Sequence, residues 1–122
     1  MPPDDTPAPR ILVIDDEDAV RSMLVRALAL WKYDTVAVPS GEAAIRLLEA
    51  GERFACILLD LTMPGIGGEG TLRELDRLAP GTPVAIMSGY PRDDLAREGR
   101  RFLAKPFDLQ ALRDLVADLT TT

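Results

Sequence analysis

Five short apolar runs, spaced along the chain, constrain the fold more than any other feature of this sequence. The first run, Ile11–Ile14, lies between Arg10 and Asp15. A short, continuous apolar run with charged flanks predicts a strand that is covered on both faces, as in a parallel sheet. The other runs are 35–38, 55–59, 84–87 and 102–104. We therefore expect five buried strands.

Amphipathic stretches separate these runs and predict helices between the strands. From Val20 to Trp31 the apolar residues recur at helical spacing and form one face. Ser40 is a predicted N-cap for a helix over 42–50, and Asp108 is a predicted N-cap for the last helix. Strands that alternate with helices favour a parallel sheet with helices on both faces, joined by right-handed crossovers.

The predicted fold class is therefore α/β: a flavodoxin-like, doubly wound, five-stranded parallel sheet with strand order 2-1-3-4-5. Residues 1–9 include prolines at 2, 3, 7 and 9 and predict a disordered tail, followed by one domain over 10–119. The connection between the fourth and fifth strands is close to the minimum length of a crossover. The fourth helix is therefore predicted to be short, within 92–98.

The composition excludes several classes of function. The chain has no histidine and one cysteine, which rules out histidine-dependent catalytic triads, the commonest zinc sites and an internal disulfide. A net charge of −6 argues against binding to nucleic acid or to an anionic membrane. No apolar run reaches the roughly 18 residues of a membrane-spanning helix, and no signal-peptide pattern is seen. A cytoplasmic location is expected.

Polar residues follow the predicted strands at their carboxyl ends, where sheets of this kind bind ligands. Asp15 and Asp16 follow the first strand, and Asp60, Ser88 and Lys105 follow the third, fourth and fifth. Each residue has an ordinary alternative role, as a helix cap, a turn residue or a surface lysine. Because the first and third strands are neighbours in the predicted order, we expect the three carboxylates to converge.

Converging carboxylates repel one another, so their charge must be offset by cations. Lys105 supplies one positive charge, and Mg²⁺, a hard ion that prefers oxygen ligands, can supply the rest. An aspartate can be the nucleophile of a phosphoryl transfer, in which a metal ion, an ammonium and the Ser88 hydroxyl would stabilise the phosphoryl oxygens. The residues alone therefore indicate phosphoryl chemistry with Mg²⁺.

Five motifs, taken together and in order, resemble the receiver domain of two-component response regulators, which has the chemotaxis-protein-Y-like fold. They are Ile-Asp-Asp at 14–16, Leu-Leu-Asp-Leu-Thr-Met-Pro-Gly at 58–65, Gly68, Met-Ser-Gly at 87–89 and Lys-Pro-Phe at 105–107. The resemblance runs from Arg10 to about Leu119. The residues of these motifs are most similar to those in receivers of hybrid histidine kinases and in single-domain receivers.

This resemblance implies roles for the residues at the predicted site. Asp60 would be the phosphoacceptor, and Lys105 would bind the phosphoryl group. Asp16 would bind Mg²⁺ directly, Asp15 would act mostly through metal-bound water, and the backbone carbonyl of Thr62 would be the third protein ligand.

The resemblance also implies a switch. Ser88 would be the switch hydroxyl and Phe102 the switch aromatic, although Phe102 lacks the hydroxyl of the tyrosine often found there. The Lys105–Pro106 peptide bond would be cis. Tyr90, together with Thr62, would border the phosphoryl group and control access to it.

As a receiver, the chain would take its phosphoryl group from a sensor histidine kinase or a histidine phosphotransfer protein, because it has no histidine of its own. It would catalyse only its own phosphorylation and dephosphorylation, and so would not be an enzyme with turnover on an external substrate. Its output would be a contact with a downstream protein target or a step in a phosphorelay.

Two alternatives remain open from the residues. A flavodoxin-like electron carrier needs a phosphate-binding loop after the first strand, whereas the acidic residues 15–18 would repel a flavin phosphate. A receiver-like module could instead bind its partner without phosphorylation, although it would not need all of the catalytic positions filled.

Overall fold

Ten elements alternate along residues 8–121, the part of the chain that the computed structural model describes. The strands are β1 (Arg10–Ile14), β2 (Asp34–Val38), β3 (Cys56–Asp60), β4 (Val84–Ser88) and β5 (Arg101–Ala104). The helices are α1 (Asp18–Leu30), α2 (Gly41–Glu49), α3 (Gly67–Leu78), α4 (Asp93–Arg97) and α5 (Leu109–Thr120). Most of the predicted tail, residues 1–7, lies outside the described residues.

All five strands are parallel, and their order is β2-β1-β3-β4-β5. The predicted fold class is thus confirmed. Alternation along each strand sends side chains to opposite faces of the sheet. Ile11 and Val13 pack with α1 and α5 on one face, whereas Leu12 and Ile14 pack with α2, α3 and α4 on the other. Both faces of the central strands β1, β3 and β4 are buried, which explains their continuous apolar runs. The edge strands β2 and β5 are only partly buried, so the expectation of five buried strands is wrong for these two, which have a neighbouring strand on one side only.

The two predicted N-caps are present and begin their helices next to the sheet. The Ser40 Oγ accepts a hydrogen bond from the Ala43 N–H at 3.1 Å. The Asp108 Oδ1 accepts one from the Ala111 N–H at 2.6 Å. Each cap satisfies a backbone donor that the first helical turn leaves free.

Gly68 allows α3 to approach the chain that leaves β3. A Cβ atom at this position would lie 2.1 Å from the backbone oxygen of Leu61 and 2.4 Å from its Cα. A side chain there would require a backbone shift, so the glycine holds α3 close behind Asp60.

The fourth helix is short, as predicted: α4 has five residues, of which Leu95 is buried. Side-chain ion pairs connect α3 to the residues on either side of α4. Arg92 contacts Glu69 at 2.7 Å, and Arg100 contacts Asp76 at 2.6 Å. These pairs are partly exposed, and exposed pairs contribute only about 0–1 kcal/mol each.

We therefore expect fast amide hydrogen exchange across residues 92–100 of the unphosphorylated domain. A helix of five residues with one buried anchor opens at low free energy, since packing supplies most of the stability of short helices. Exchange followed by mass spectrometry, with α3 as the internal reference, measures this. A symmetric dimer through α4, β5 and α5 should then be weak. Strong protection of a helix of ten or more residues, with such a dimer, would contradict the prediction.

Candidate functional site

Three carboxylates converge at the carboxyl edge of the sheet. β1 pairs with β3 so that Ile14 lies beside Leu59, which places the residues that follow, Asp15 and Asp60, side by side. One carboxylate oxygen from each of Asp15, Asp16 and Asp60 lies within 4.8 Å of the other two. Asp15 and Asp60 are buried, at 0% and 3% exposure, whereas Asp16 is exposed.

Lys105 connects β5 to this cluster. Its Nζ donates a hydrogen bond to the Asp15 Oδ2 at 2.9 Å and lies 3.5 Å from the Asp60 Oδ1. Burial lowers the pKa of Lys105, but the hydrogen bond to Asp15 and the charges of Asp15 and Asp60 outweigh it, so the pKa is raised overall. The backbone N–H of Lys105 donates to the Ser88 carbonyl at 2.8 Å, and the Lys105–Pro106 bond is cis.

The local environment disfavours the ionised form of Asp60. Burial is the main cause of the raised pKa of this carboxyl, and the negative charges of Asp15 and Asp16 act in the same direction. The Thr62 N–H, which donates to the Asp60 Oδ1 at 3.1 Å, and the charge of Lys105 oppose the increase. Burial and the neighbouring carboxylates together outweigh Thr62 and Lys105, so a further cation would stabilise the ionised form of Asp60.

The donor set fits Mg²⁺. All three side chains offer carboxylate oxygens, which hard divalent cations prefer. Asp16 is exposed and has no side-chain hydrogen bond within residues 8–121, so its oxygens are available for direct coordination. Both oxygens of Asp15 already accept hydrogen bonds, Oδ1 from the Glu17 N–H at 2.9 Å and Oδ2 from Lys105.

Ser88 lies at the end of β4, but its hydroxyl is engaged within its own loop. The Oγ accepts a hydrogen bond from the Tyr90 N–H at 3.1 Å and donates one to the Tyr90 carbonyl at 2.8 Å. Phe102 is half-buried and lines a groove of about 340 Å³ together with Ser88 and Tyr90. Tyr90 is 77% exposed, and Thr62 is also exposed. Ser88 therefore adjoins the cluster without bonding to it.

The sequence alone does not predict that Arg21 belongs to this region. Its guanidinium donates a hydrogen bond to the backbone carbonyl of Asp15 at 2.7 Å. The available signal was its place near the N-terminal end of α1, where the helix dipole disfavours a cation.

None of the helices in residues 8–121 is long and apolar enough to cross a bilayer.

A doubly wound sheet with an acidic cluster and a lysine at its carboxyl edge is suited to phosphoryl chemistry with a divalent cation. Residues 11–117 match the family model of the response regulator receiver domain, and the chain belongs to this family. It is a receiver domain of two-component signalling systems, and neither the electron carrier nor the non-phosphorylated module is favoured.

Relatives and solved structures agree with this membership. Response regulator protein FleR of Pseudomonas aeruginosa is 38% identical over 115 residues, which is 90% of this chain but 24% of FleR. Sporulation initiation phosphotransferase F of Bacillus subtilis is 30% identical over 112 residues, 88% of this chain and 90% of the relative. Response regulator TrrA of Thermotoga maritima, solved in complex with Mg²⁺ and BeF, superposes with a TM-score of 0.82 at 28% identity, covering 91% of this chain and 98% of TrrA.

Proposed function

We propose that Asp60 accepts a phosphoryl group from a phosphohistidine on a sensor histidine kinase or a histidine phosphotransfer protein. The observation that carries the proposal is the buried Asp60 carboxylate beside Asp15, Asp16 and Lys105. Incubation with acetyl phosphate and Mg²⁺, followed by intact mass spectrometry, tests the chemistry without a cognate kinase. We expect the mass of one phosphoryl group to be gained, and no gain would refute the proposal.

The chemical step is an in-line displacement at phosphorus. A carboxylate oxygen of Asp60 forms a bond to phosphorus while the bond from phosphorus to the donor nitrogen breaks, and the donor histidine leaves neutral after taking up a proton. The Lys105 Nζ, 3.5 Å from the Asp60 Oδ1, is placed to neutralise charge on the phosphoryl oxygens. Hydrolysis of the acyl phosphate later restores the carboxylate.

Mg²⁺ is the proposed cofactor, held by Asp16, by Asp60, by Asp15 through water and by the Thr62 carbonyl. When bound, it would supply positive charge to the phosphoryl oxygens and offset the repulsion within the cluster. The TrrA structure, in complex with Mg²⁺ and BeF, supports the choice of ion.

The switch is proposed to use Ser88 and Phe102. To donate to a phosphoryl oxygen on Asp60, the Ser88 hydroxyl must give up its hydrogen bond to the Tyr90 carbonyl, which removes one of the two hydrogen bonds that connect Ser88 to the loop after β4. Phe102 shares the groove with this loop, so its ring would rearrange with it. A downstream protein target would read that surface.

The domain is proposed to act as a switch in the cytoplasm rather than as an enzyme with an external substrate. Its cysteine, Cys56, is free and buried, and burial raises the pKa of the thiol to about 12. A free thiol is the ordinary state of cysteine in a reducing compartment. Acidic residues exceed basic ones, which supports protein partners over nucleic acid or anionic membranes.

Tyr90→Ala should shorten the lifetime of the phosphoryl group more than it changes the rate of uptake. The ring, which is 77% exposed, would border the phosphoryl group and obstruct the hydrolytic water, whereas uptake needs no water. We expect a lifetime about three to ten times shorter, a barrier lower by roughly 0.7–1.4 kcal/mol. Decay of the phosphorylated protein by intact mass measures it, with Tyr90→Phe as the control that keeps the ring. Equal lifetimes for wild type and Tyr90→Ala would exclude this role.

A further inference from the structure

Arg21 is turned back from α1 toward the acidic cluster. One guanidinium nitrogen donates a hydrogen bond to the backbone carbonyl of Asp15 at 2.7 Å, and another pairs with the Asp18 carboxylate. The Arg21 side chain is 18% exposed, whereas the Asp18 side chain is 92% exposed. The contact with Asp15 is therefore the sheltered one, and the contact with Asp18 is a surface ion pair.

The position of Arg21 is not explained by the stability of α1. Arg21 is the fourth residue of a helix that begins at Asp18. The N-terminal end of a helix carries partial positive charge and disfavours a cation. An exposed ion pair with Asp18 contributes little to stability. The bond to the Asp15 carbonyl is the remaining polar interaction of this side chain within residues 8–121.

That bond holds the peptide unit from which Asp16 projects. The Asp15 carbonyl shares one rigid plane with the nitrogen and Cα of Asp16. The Asp15 N–H donates to the Val38 carbonyl at 3.2 Å, and the Asp15 Oδ1 accepts from the Glu17 N–H at 2.9 Å. The Asp16 carboxylate has no such anchor among the described residues 8–121. The backbone therefore sets where the Asp16 Cα and Cβ lie relative to Asp60, and Arg21 fixes the carbonyl within that backbone.

We propose that Arg21 is a positioning residue that holds the loop between β1 and α1 so that Asp16 faces Asp60 before the metal arrives. The proposal rests on the proposed function, since it takes Asp16 as a ligand of Mg²⁺. Outer groups that orient metal ligands typically account for about 10- to 100-fold in metal affinity. Loss of Arg21 should therefore weaken Mg²⁺ binding.

If Arg21 acted only through its charge, its loss would change the Mg²⁺ affinity in the opposite direction, which makes the proposal testable. Removal of a cation near a cation site should tighten Mg²⁺ binding if Arg21 acts only through its charge. Arg21→Met removes both the charge and the donors, whereas Arg21→Lys keeps the charge on a shorter, non-planar head. If Arg21 positions the loop, both variants should bind Mg²⁺ more weakly.

Titration calorimetry with Mg²⁺ alone measures the dissociation constant of wild type, Arg21→Met and Arg21→Lys. Arg26→Met is the matched control, because Arg26 is exposed on the same helix and has no hydrogen bond or ion pair within the described range. Far-UV circular dichroism in EDTA checks that each variant is folded at the titration temperature. We expect a dissociation constant about tenfold higher for Arg21→Met, a smaller rise for Arg21→Lys and no change for Arg26→Met.

A second measurement separates positioning from a general loss of structure. The rate of labelling by acetyl phosphate should reach the wild-type maximum in Arg21→Lys once Mg²⁺ is saturating, with only the half-saturating Mg²⁺ concentration increased. A lower maximum at saturation would indicate structural damage and overturn the inference. Wild-type affinity in both Arg21 variants, or tighter binding in Arg21→Met, would also overturn it. A wild-type domain that binds no Mg²⁺ would instead refute the proposed cofactor, and the inference with it.

Discussion

Asp60→Asn should abolish the gain of a phosphoryl group from acetyl phosphate. The asparagine amide has nearly the same shape as the carboxylate but is not a nucleophile toward phosphorus, so no acyl phosphate can form. The amide oxygen can still accept the hydrogen bond that the Thr62 N–H now donates at 3.1 Å. The substitution therefore removes the reacting group and the ion pair with Lys105 while keeping the hydrogen bond from Thr62. Intact mass spectrometry after equal incubation times is the measurement, and we expect complete loss.

Two controls make this result specific. Asp114→Asn changes an exposed aspartate on α5, far along the chain from the cluster, and should be labelled like wild type. The melting temperature of Asp60→Asn in EDTA should equal or exceed that of wild type, because one of three mutually repelling carboxylates has been neutralised. If Asp60→Asn still gains one phosphoryl group, the acceptor is another residue, and the assignment of Asp60 is wrong.

The sheet could be predicted because its signals are periodic and local. The central part of each strand is a short apolar run. The connections between parallel strands are right-handed, which restricts the possible topologies. From the resulting order, the proximity of Asp15 and Asp60 follows directly, since Asp15 comes directly after β1, Asp60 ends β3, and these two strands are neighbours. Ser40 and Asp108 could be identified as caps because a cap acts on a backbone donor three residues away.

Contacts that depend on side-chain rotamers or on loop paths could not be predicted in this way. The hydroxyl of Ser88 can donate to several acceptors, and only the path of its loop selects the Tyr90 carbonyl. Arg100 pairs with Asp76 across 24 positions of sequence, a distance at which charge patterning carries no information. In the sequence, Arg21 is indistinguishable from an ordinary solvent-exposed helix residue. Only the structure shows its hydrogen bond to the Asp15 carbonyl.

The acidic cluster makes the domain without metal less stable than its fold would otherwise allow. The pKa of Asp60 is raised, first by burial and then by the charges of Asp15 and Asp16. A carboxyl whose pKa is higher in the folded state than in the unfolded chain lowers stability once pH rises above it. At neutral pH the ionised cluster therefore destabilises the folded domain, and any cation that binds it should reverse the effect.

Millimolar Mg²⁺ should raise the melting temperature of wild type, and Asp16→Asn should lose most of that increase. A ligand at ten times its dissociation constant stabilises the folded state by about 1.4 kcal/mol, which corresponds to roughly 5 °C for a domain of this size. Asp16 offers the exposed carboxylate with no side-chain hydrogen bond within residues 8–121, so its loss should affect the ion more than the fold. Thermal melts in EDTA and in Mg²⁺, followed by circular dichroism, measure both effects.

The order of the melting temperatures of wild type and Asp16→Asn should reverse between EDTA and Mg²⁺. In EDTA, Asp16→Asn should melt at or above wild type because the repulsion on Asp60 is smaller; in Mg²⁺, wild type should melt higher because it alone keeps the ligand. Asp114→Asn should respond to Mg²⁺ as wild type does, since its exposed carboxylate lies on α5, outside the cluster. A general salt effect would shift the melting temperatures of all three proteins by the same amount. If Mg²⁺ leaves the melting temperature of wild type unchanged, that result would contradict the metal site itself.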